Sequence, residues 1–186
     1  NVVVGDLDGD GDQDIAGTIT FDQGNVEVWE NRLTTLDQSR SEAPRLLVFW
    51  KTDIAFHESI PDAIRAIREM ARRNSIQVDD TSDAHMMKEM VLARYRAVIF
   101  LSTQGEILNL KQKAAFERYI KTGGGFVGIH SAADTESNWP WYGKLVGAQY
   151  GGSHSEVVRA VVYREDGTHA STKGLPERWD WIDEWY

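Results

Sequence analysis

From Arg45 onward the chain alternates short, continuous apolar runs with longer segments whose apolar residues recur at helical spacing. This alternation constrains the fold most, because strands buried on both faces and joined by helices pair in parallel. Residues 45–52 (RLLVFWKT) form the first buried-strand run. Ser59 then stands as an N-cap, Pro61 falls in the first turn, and Ile60, Ala63, Ile64, Ile67, Met70 and Ala71 make an apolar stripe, which predicts a helix lying on the sheet. Residues 76–81 read as a second strand and 84–93 as a short helix, and 97–102 (AVIFLS) carry the unbroken apolar content of a central strand. Asn109 with Gln112 matches a capping box, Phe116, Tyr119 and Ile120 face the core, and Gly123, Gly124 and Gly125 end that helix before a strand at 126–129. The expected fold class is α/β, a doubly wound parallel sheet with right-handed crossovers. Residues 139–146 then read as a short helix and 157–163 as a strand, before a turn-rich tail from 167 to 186.

Charge divides the chain differently. Its 186 residues hold 20 Lys+Arg and 29 Asp+Glu, a net charge of −9. Residues 1–37 contain nine acids and one base, Arg32, so −8 of that charge sits there and the remainder is nearly neutral. With no basic cluster in the α/β part, nucleic acid is not an expected partner. No apolar run approaches the roughly 20 residues that span a bilayer. The absence of Cys excludes disulfides, thiolate catalysis and Cys-ligated metal sites. The stretch from Thr34 to Pro44 is polar, with no apolar residue between Leu36 and Ala43. The organisation expected is therefore a short β fragment at 1–36, a linker at 37–44 and an α/β domain at 45–186. The first and last residues, Asn1 and Tyr186, suggest a piece of a longer polypeptide.

Within the N-terminal part, Asp6, Asp8, Asp10, Asp12 and Asp14 alternate with other residues around Gly9 and Gly11. Alternate residues of a curled loop can all point inward, and Ca²⁺ takes six to eight oxygens at about 2.3–2.6 Å. Five carboxylates that close repel one another without a cation. Gly17 at the twelfth position offers no bidentate carboxylate, so the loop is not a complete EF-hand. Its flanks, 14–20 and 25–31, read as strands around the turn Asp22-Gln23-Gly24. The stretch resembles the FG-GAP or VCBS repeat, in which a DxDGDGDxD loop joins two strands of a propeller-type blade. That resemblance implies calcium held by the side chains of Asp6, Asp8, Asp10 and Asp14 and the carbonyl of Asp12. One blade cannot bury its own faces, so the remaining blades of the parent chain are expected partners.

The α/β part carries distinctive words: Lys51-Thr52, Phe56-His57-Glu58-Ser59-Ile60, Gly123-Gly124-Gly125-Phe126-Val127-Gly128-Ile129-His130-Ser131-Ala132-Ala133-Asp134, and Trp139-Pro140-Trp141-Tyr142. Val146-Gly147-Ala148, Ser153-His154, Lys173-Gly174-Leu175-Pro176 and Asp183-Glu184-Trp185-Tyr186 follow. Together these resemble the ThuA-like family, named for trehalose utilisation, from about Arg45 to the end. The resemblance implies a flavodoxin-like fold related to class I glutamine amidotransferases. In those enzymes a strand ending in Gly-x-Cys-x-Gly presents cysteine on a sharp elbow. Here the corresponding residues are Gly128-Ile129-His130-Ser131-Ala132, so His130 takes the nucleophile position and glutamine hydrolysis through a thioester is excluded.

In open α/β sheets ligands bind beyond the carboxyl ends of the strands. The first strand delivers Lys51, Thr52, Phe56 and His57 there, the third Ser102, Thr103 and Gln104, and the fourth His130, Ser131 and Asp134. His130 is the candidate acid/base, with Asp134 orienting it and Glu184 as a second carboxylate. Lys51, His57, Gln104, Trp139, Trp141 and Trp185 are candidate substrate-binding residues, the tryptophans because aromatic faces cover the apolar face of a pyranose. The alternative for large aromatics is core filling. His57, His130 and His154, with Asp134 or Glu184, form a candidate divalent transition-metal site of the three-protein-ligand type. Gly123, Gly124 and Gly125 precede a strand rather than open a helix, so they lack the helix N-terminus that cradles phosphate.

Two functions are expected from this reading. One is a carbohydrate-utilisation domain acting on a sugar or modified glycoside at the strand edge, as a hydrolase or isomerase. The other is a non-catalytic sugar-binding or scaffolding module of a secreted multidomain protein. A calcium loop fits a periplasmic or extracellular setting, where millimolar calcium fills weak sites.

Overall fold

The computed structural model describes residues 2–5, 14–18, 26–29, 43–152, 156–183 and 185. Two compact units share the chain, one formed by Arg32–Gln149 and one by Asn1–Asn31 together with Tyr150–Tyr186. In the second of these, β1 (Val2–Gly5), β2 (Asp14–Thr18) and β3 (Val26–Trp29) make an antiparallel sheet in that order. The same unit holds an antiparallel pair, β8 (Val158–Tyr163) and β9 (Arg178–Asp183).

The larger unit is built on four parallel strands: β4 (Arg45–Phe49), β5 (Gln77–Thr81), β6 (Ala97–Leu101) and β7 (Gly125–Ile129). Their order is β5-β4-β6-β7, so the expected flavodoxin-like α/β sheet is present with 97–101 inside it. Helices α1 (Ile60–Arg73), α2 (Glu89–Leu92), α3 (Leu110–Lys121) and α4 (Pro140–Val146) complete the unit. Strand alternation sends successive side chains to opposite faces, which divides the core in two. Leu47, Phe49, Val98 and Phe100 pack with residues of α2, α3 and α4. Val48, Ile99 and Leu101 pack with Ile60 and Ile67 of α1 on the other face.

Helix α1 begins after Ser59, whose side chain makes no capping hydrogen bond, and Pro61 supplies the preset φ of a first turn. Met70, expected on its apolar stripe, is 58% exposed, because the stripe narrows to Ile60, Ile67 and Ala71 where the helix meets the sheet. Helix α3 opens on the expected capping box, with both Asn109 and Gln112 side chains engaged. It closes in a Schellman arrangement, Gly124 N–H to Tyr119 carbonyl and Gly123 N–H to Ile120 carbonyl, with Gly123 at φ +93° as that turn requires. The expected helix at 84–93 is instead a 3-10 turn, Ala84–Met86, followed by α2. Met87, buried between them, breaks the helical run to fill the core.

Phe100 is the centre of the larger face. Its ring lies 5.3 Å from Phe49, 5.0 Å from Phe116, 5.4 Å from Phe126 and 5.8 Å from Tyr142. Elements from across the unit therefore share one side chain. Replacing it with alanine removes contacts from four aromatic neighbours at once and leaves a cavity. Phe100→Ala is expected to destabilise the unit by about 3–5 kcal/mol, read as a shift in the urea midpoint with an unchanged slope.

Candidate functional site at the carboxyl edge of the sheet

Since β4 neighbours both β5 and β6, the chain leaves the sheet in opposite directions from β4, and the loops beyond it separate. That is the switch point at which α/β sheets open a crevice. The pairing of β4 with β6 continues as a bridge between Thr52 and Gln104, and that of β6 with β7 as one between Gly105 and Thr135. Asp53 N–H donates to the Gln104 carbonyl, Gly105 N–H to the Asp134 carbonyl and Glu136 N–H to the Gly105 carbonyl, each at 3.0 Å. The three loops are thus stitched together by backbone.

Among the described residues four non-glycine residues have positive φ, and three of them, Ser102 (48°), His130 (57°) and Glu136 (53°), lie at this edge. Each such conformation costs on the order of 1–3 kcal/mol and persists only where the surroundings enforce it. His130 directly follows β7 and opens a 3-10 turn, His130–Asp134, so it stands on the strand-to-helix elbow expected from the sequence. Its ring lies 4.7 Å from that of His57, edge to face at 90°. Two histidines far apart in sequence therefore meet.

The Asp134 carboxylate accepts from Gln104 Nε2 at 2.7 Å. Because an ionised carboxylate only accepts, this bond fixes the amide with its oxygen turned the other way. Gln104 Oε1 and Ser131 Oγ are buried polar atoms with no hydrogen-bond partner. Asp134 therefore orients Gln104. Lys51 Nζ donates to the Ile107 carbonyl at 3.3 Å and lies 3.8 Å from Asp53. It also lines a cavity of about 520 Å³ with Ser82, Asp83 and the 106–109 loop.

A buried charge cluster supports that loop. Glu136 is fully buried and accepts from the N–H groups of Ile107 at 2.9 Å and Leu108 at 2.7 Å, while Lys113 forms an ion pair with its other oxygen. Lys113 also pairs with Glu106 at 3.0 Å. Burial, and secondarily the neighbouring Glu106, push the Glu136 carboxyl above the usual range against the pull of Lys113. Burial acts the same way on Glu106, but the N–H of Asn138 and the Lys113 ammonium outweigh it and bring that carboxyl down to about 2.

Trp139 and Trp141 stack on each other at 4.9 Å, pack against the core, and have Lys113 over the Trp139 ring at 5.6 Å, so both are held by packing. Trp185 belongs to the other unit and donates its indole N–H to the Val158 carbonyl at 3.0 Å. Asp6, Asp8, Asp10, Asp12, His154 and Glu184 lie outside the described residues, and of Asp14 only its place at the start of β2 is described. Among the described residues no group of three or more His, Asp or Glu could hold a metal. The Glu106, Lys113 and Glu136 cluster was missed by sequence reasoning. The signal that could have found it is Lys113, set between Gln112 and Phe116 on the core side of α3, where a cation needs an acidic partner.

Residues 45–186 match the family model described as ThuA, trehalose utilisation. The chain belongs to the ThuA family. A ThuA-like protein from Bacteroides uniformis ATCC 8492 is similar in structure, with a TM-score of 0.67 and 24% identity over 82% of this chain. At that identity the likeness establishes the fold. The ThuA chain described here spans 64% of the length of that structure. No curated protein matches it.

For this ThuA domain the depressed Glu106 carboxyl gives a pH dependence with a definite sign. A folded-state pKa below the usual 4.5 contributes stability that is complete above about pH 4.5 and is lost as pH falls toward 2. The raised Glu136 carboxyl has the opposite sign, favouring the fold as pH falls. Glu106→Gln is expected to lose less stability than the wild type between pH 4.5 and 2, measured by urea unfolding at several pH values across that window.

Proposed function

We propose that this ThuA domain acts on a sugar or modified glycoside at the carboxyl edge of its parallel sheet, with His130 moving the proton. The observation that carries this reading is the elbow itself: a strained backbone turn that holds His130 against His57 at 4.7 Å. Strain of this kind gathers at functional sites, and an imidazole donates or accepts protons near neutral pH. Gln104 is held by Asp134, and Gln104 Oε1 and Ser131 Oγ are buried oxygens with no hydrogen-bond partner among the described residues, the kind of unsatisfied group that calls for a functional explanation. The family description, trehalose utilisation, supplies the substrate class. In this reading His130 is a catalytic residue, Gln104 a substrate-binding residue and Asp134 a positioning residue.

The test is turnover of a panel of glycosides by the wild type and by His130→Ala. Loss of a general acid or base is expected to lower turnover by about 10²–10⁴-fold while sugar binding by calorimetry persists. Binding of some sugars without turnover of any by the wild type would favour the non-catalytic module instead.

The acidic loop supports a second, separate proposal: that Asp6, Asp8, Asp10, Asp12 and Asp14 bind Ca²⁺ in a protein located outside the cytoplasm. Its support is the crowding of carboxylates around Gly9 and Gly11. Calorimetric titration is expected to show calcium bound at about 10⁻⁴–10⁻³ M, the range of extracellular modules, and Asp8→Asn with Asp10→Asn to abolish it. No heat at millimolar calcium would remove the site.

A further inference from the structure

The turn that presents His130 is anchored at its two ends by backbone, Ser102 N–H to the Ile129 carbonyl and Gly105 N–H to the Asp134 carbonyl. Its middle is held by side chains. The Tyr142 hydroxyl, from α4, donates to the Ala132 carbonyl at 2.9 Å, and the Thr135 hydroxyl donates to the Ser131 carbonyl at 3.4 Å. Two consecutive peptide groups directly after His130 are thus tied by hydroxyls. Thr135 Oγ1 also lies 2.8 Å from Thr103 Oγ1. A hydroxyl has one proton to give, so with Thr135 donating to Ser131, Thr103 donates to Thr135, and the tie reaches back to the chain just beyond β6.

These groups are shielded from water, for Thr103, Ala132, Thr135 and Tyr142 are all buried. The Tyr142 ring is set by aromatic neighbours, Phe100 at 5.8 Å, Phe126 at 6.0 Å and Trp139 at 6.1 Å. Its hydroxyl therefore stays where the core puts it, and the turn has to meet it. Ala132 is seated closely on β7, since a Cβ at Gly128 would stand 3.3 Å from the Ala132 Cβ. Burial, and secondarily the charge of Glu136, push the Tyr142 phenol up, so it remains a donor throughout the range in which imidazoles titrate.

The consequence falls on His130. Its φ of +57° persists only while the surroundings enforce it, and rotation of the peptide groups that follow would swing the imidazole away from His57, whose ring is 4.7 Å distant. Without the phenol hydroxyl the Ala132 carbonyl is a buried acceptor deprived of its donor, which costs free energy. The strained turn is the element beside it that yields, because the other neighbours are close-packed rings and the sheet.

We propose that Tyr142 and Thr135 are positioning residues for His130: their buried hydroxyls fix the peptide groups after it and so aim the imidazole at His57. The proposal rests on the reading above only in taking His130 as the group that moves the proton. The aim itself is a property of the protein without substrate.

The nuclear Overhauser cross-peak between the His57 and His130 ring protons, recorded without any sugar and assigned by its loss in His130→Ala, reads that aim. The wild type is expected to show it and Tyr142→Phe, which keeps the ring and deletes the hydroxyl, to lose it. Tyr119→Phe is the control, because it too deletes a buried hydroxyl that donates to a core carbonyl, that of Tyr95 at 3.2 Å. It is expected to keep the cross-peak at a comparable fall in the urea midpoint. Absence of the cross-peak in the wild type, its retention in Tyr142→Phe, or its loss in both tyrosine variants would overturn the proposal. Thr135→Val carries the test if Tyr142→Phe does not fold: the cross-peak is expected to vanish there and to return in Thr135→Ser, which keeps the hydroxyl. A cross-peak that survives in Thr135→Val, or stays absent in Thr135→Ser, would refute it. With a glycoside that the wild type turns over, Tyr142→Phe is expected to lower kcat by about 10²-fold, the cost of a small misplacement, with KM unchanged, and a change in KM alone would count against positioning. Since the cross-peak needs no sugar, a wild type without turnover would remove the catalytic reading of His130 while the cross-peak still decides whether Tyr142 and Thr135 aim it.

Discussion

Parallel pairing of β4 with β6, in the register Leu46 to Ala97 through Phe49 to Phe100, is the constraint from which the rest of the larger unit follows. Once two strands run the same way, the chain has to cross back outside the sheet, and every strand then delivers its carboxyl end to one edge. Lys51, Gln104 and His130 come from three different parts of the sequence and reach the same edge for that reason alone. The same pairing fixes the core, because it aligns Phe49 with Phe100 on one face and Val48 with Ile99 on the other. Site and core are thus consequences of one hydrogen-bonding pattern.

What the pattern leaves undetermined is how the loops beyond the edge are held, and there a buried carboxylate takes over. Glu136 accepts from two backbone N–H groups that have no strand or helix to satisfy them. Burying a charge is costly unless it is paired and hydrogen-bonded, and Lys113 supplies that pairing from α3. Replacing such a cluster with apolar residues is often neutral for stability. Its use here is geometric: Glu136 couples the loop that carries Gln104 to the turn that carries His130.

Much of this fold was legible in the sequence because its signals are local. The apolar runs at 45–49 and 97–101, the capping box at Asn109 and Gln112 and the glycine stop after α3 each depend on residues within a few positions of one another. The broken helix at Ala84–Leu92 was not, since burial of Met87 is decided by the far side of the core. For the site, strand-end position singled out His57, Gln104, His130 and Asp134, and these four do gather in two contacting pairs. The partner of Gln104 was not readable: the Asp134 carboxylate that accepts from it stands 30 residues away, and no local spacing signals that pair. The stacking of Trp139 on Trp141 was not readable either, because an aromatic that stacks on a ligand and one that stacks on its neighbour look identical in sequence.

The elbow at His130 depends on this long-range support. A non-glycine residue at φ +57° relaxes unless its neighbours forbid it. Ser102 N–H bonds the Ile129 carbonyl before the turn, and Gly105 N–H bonds the Asp134 carbonyl after it. Thr103 and Thr135 join hydroxyls at 2.8 Å beneath. Both ends of the turn are therefore anchored to the strand beside it, and the strained residue between them has no room to relax. An elbow held this way is fixed by its backbone anchors rather than by the side chain it presents, and the function of such a site rests on the residue placed there. With no cysteine anywhere in the chain, the side chain that this elbow presents is the imidazole of His130.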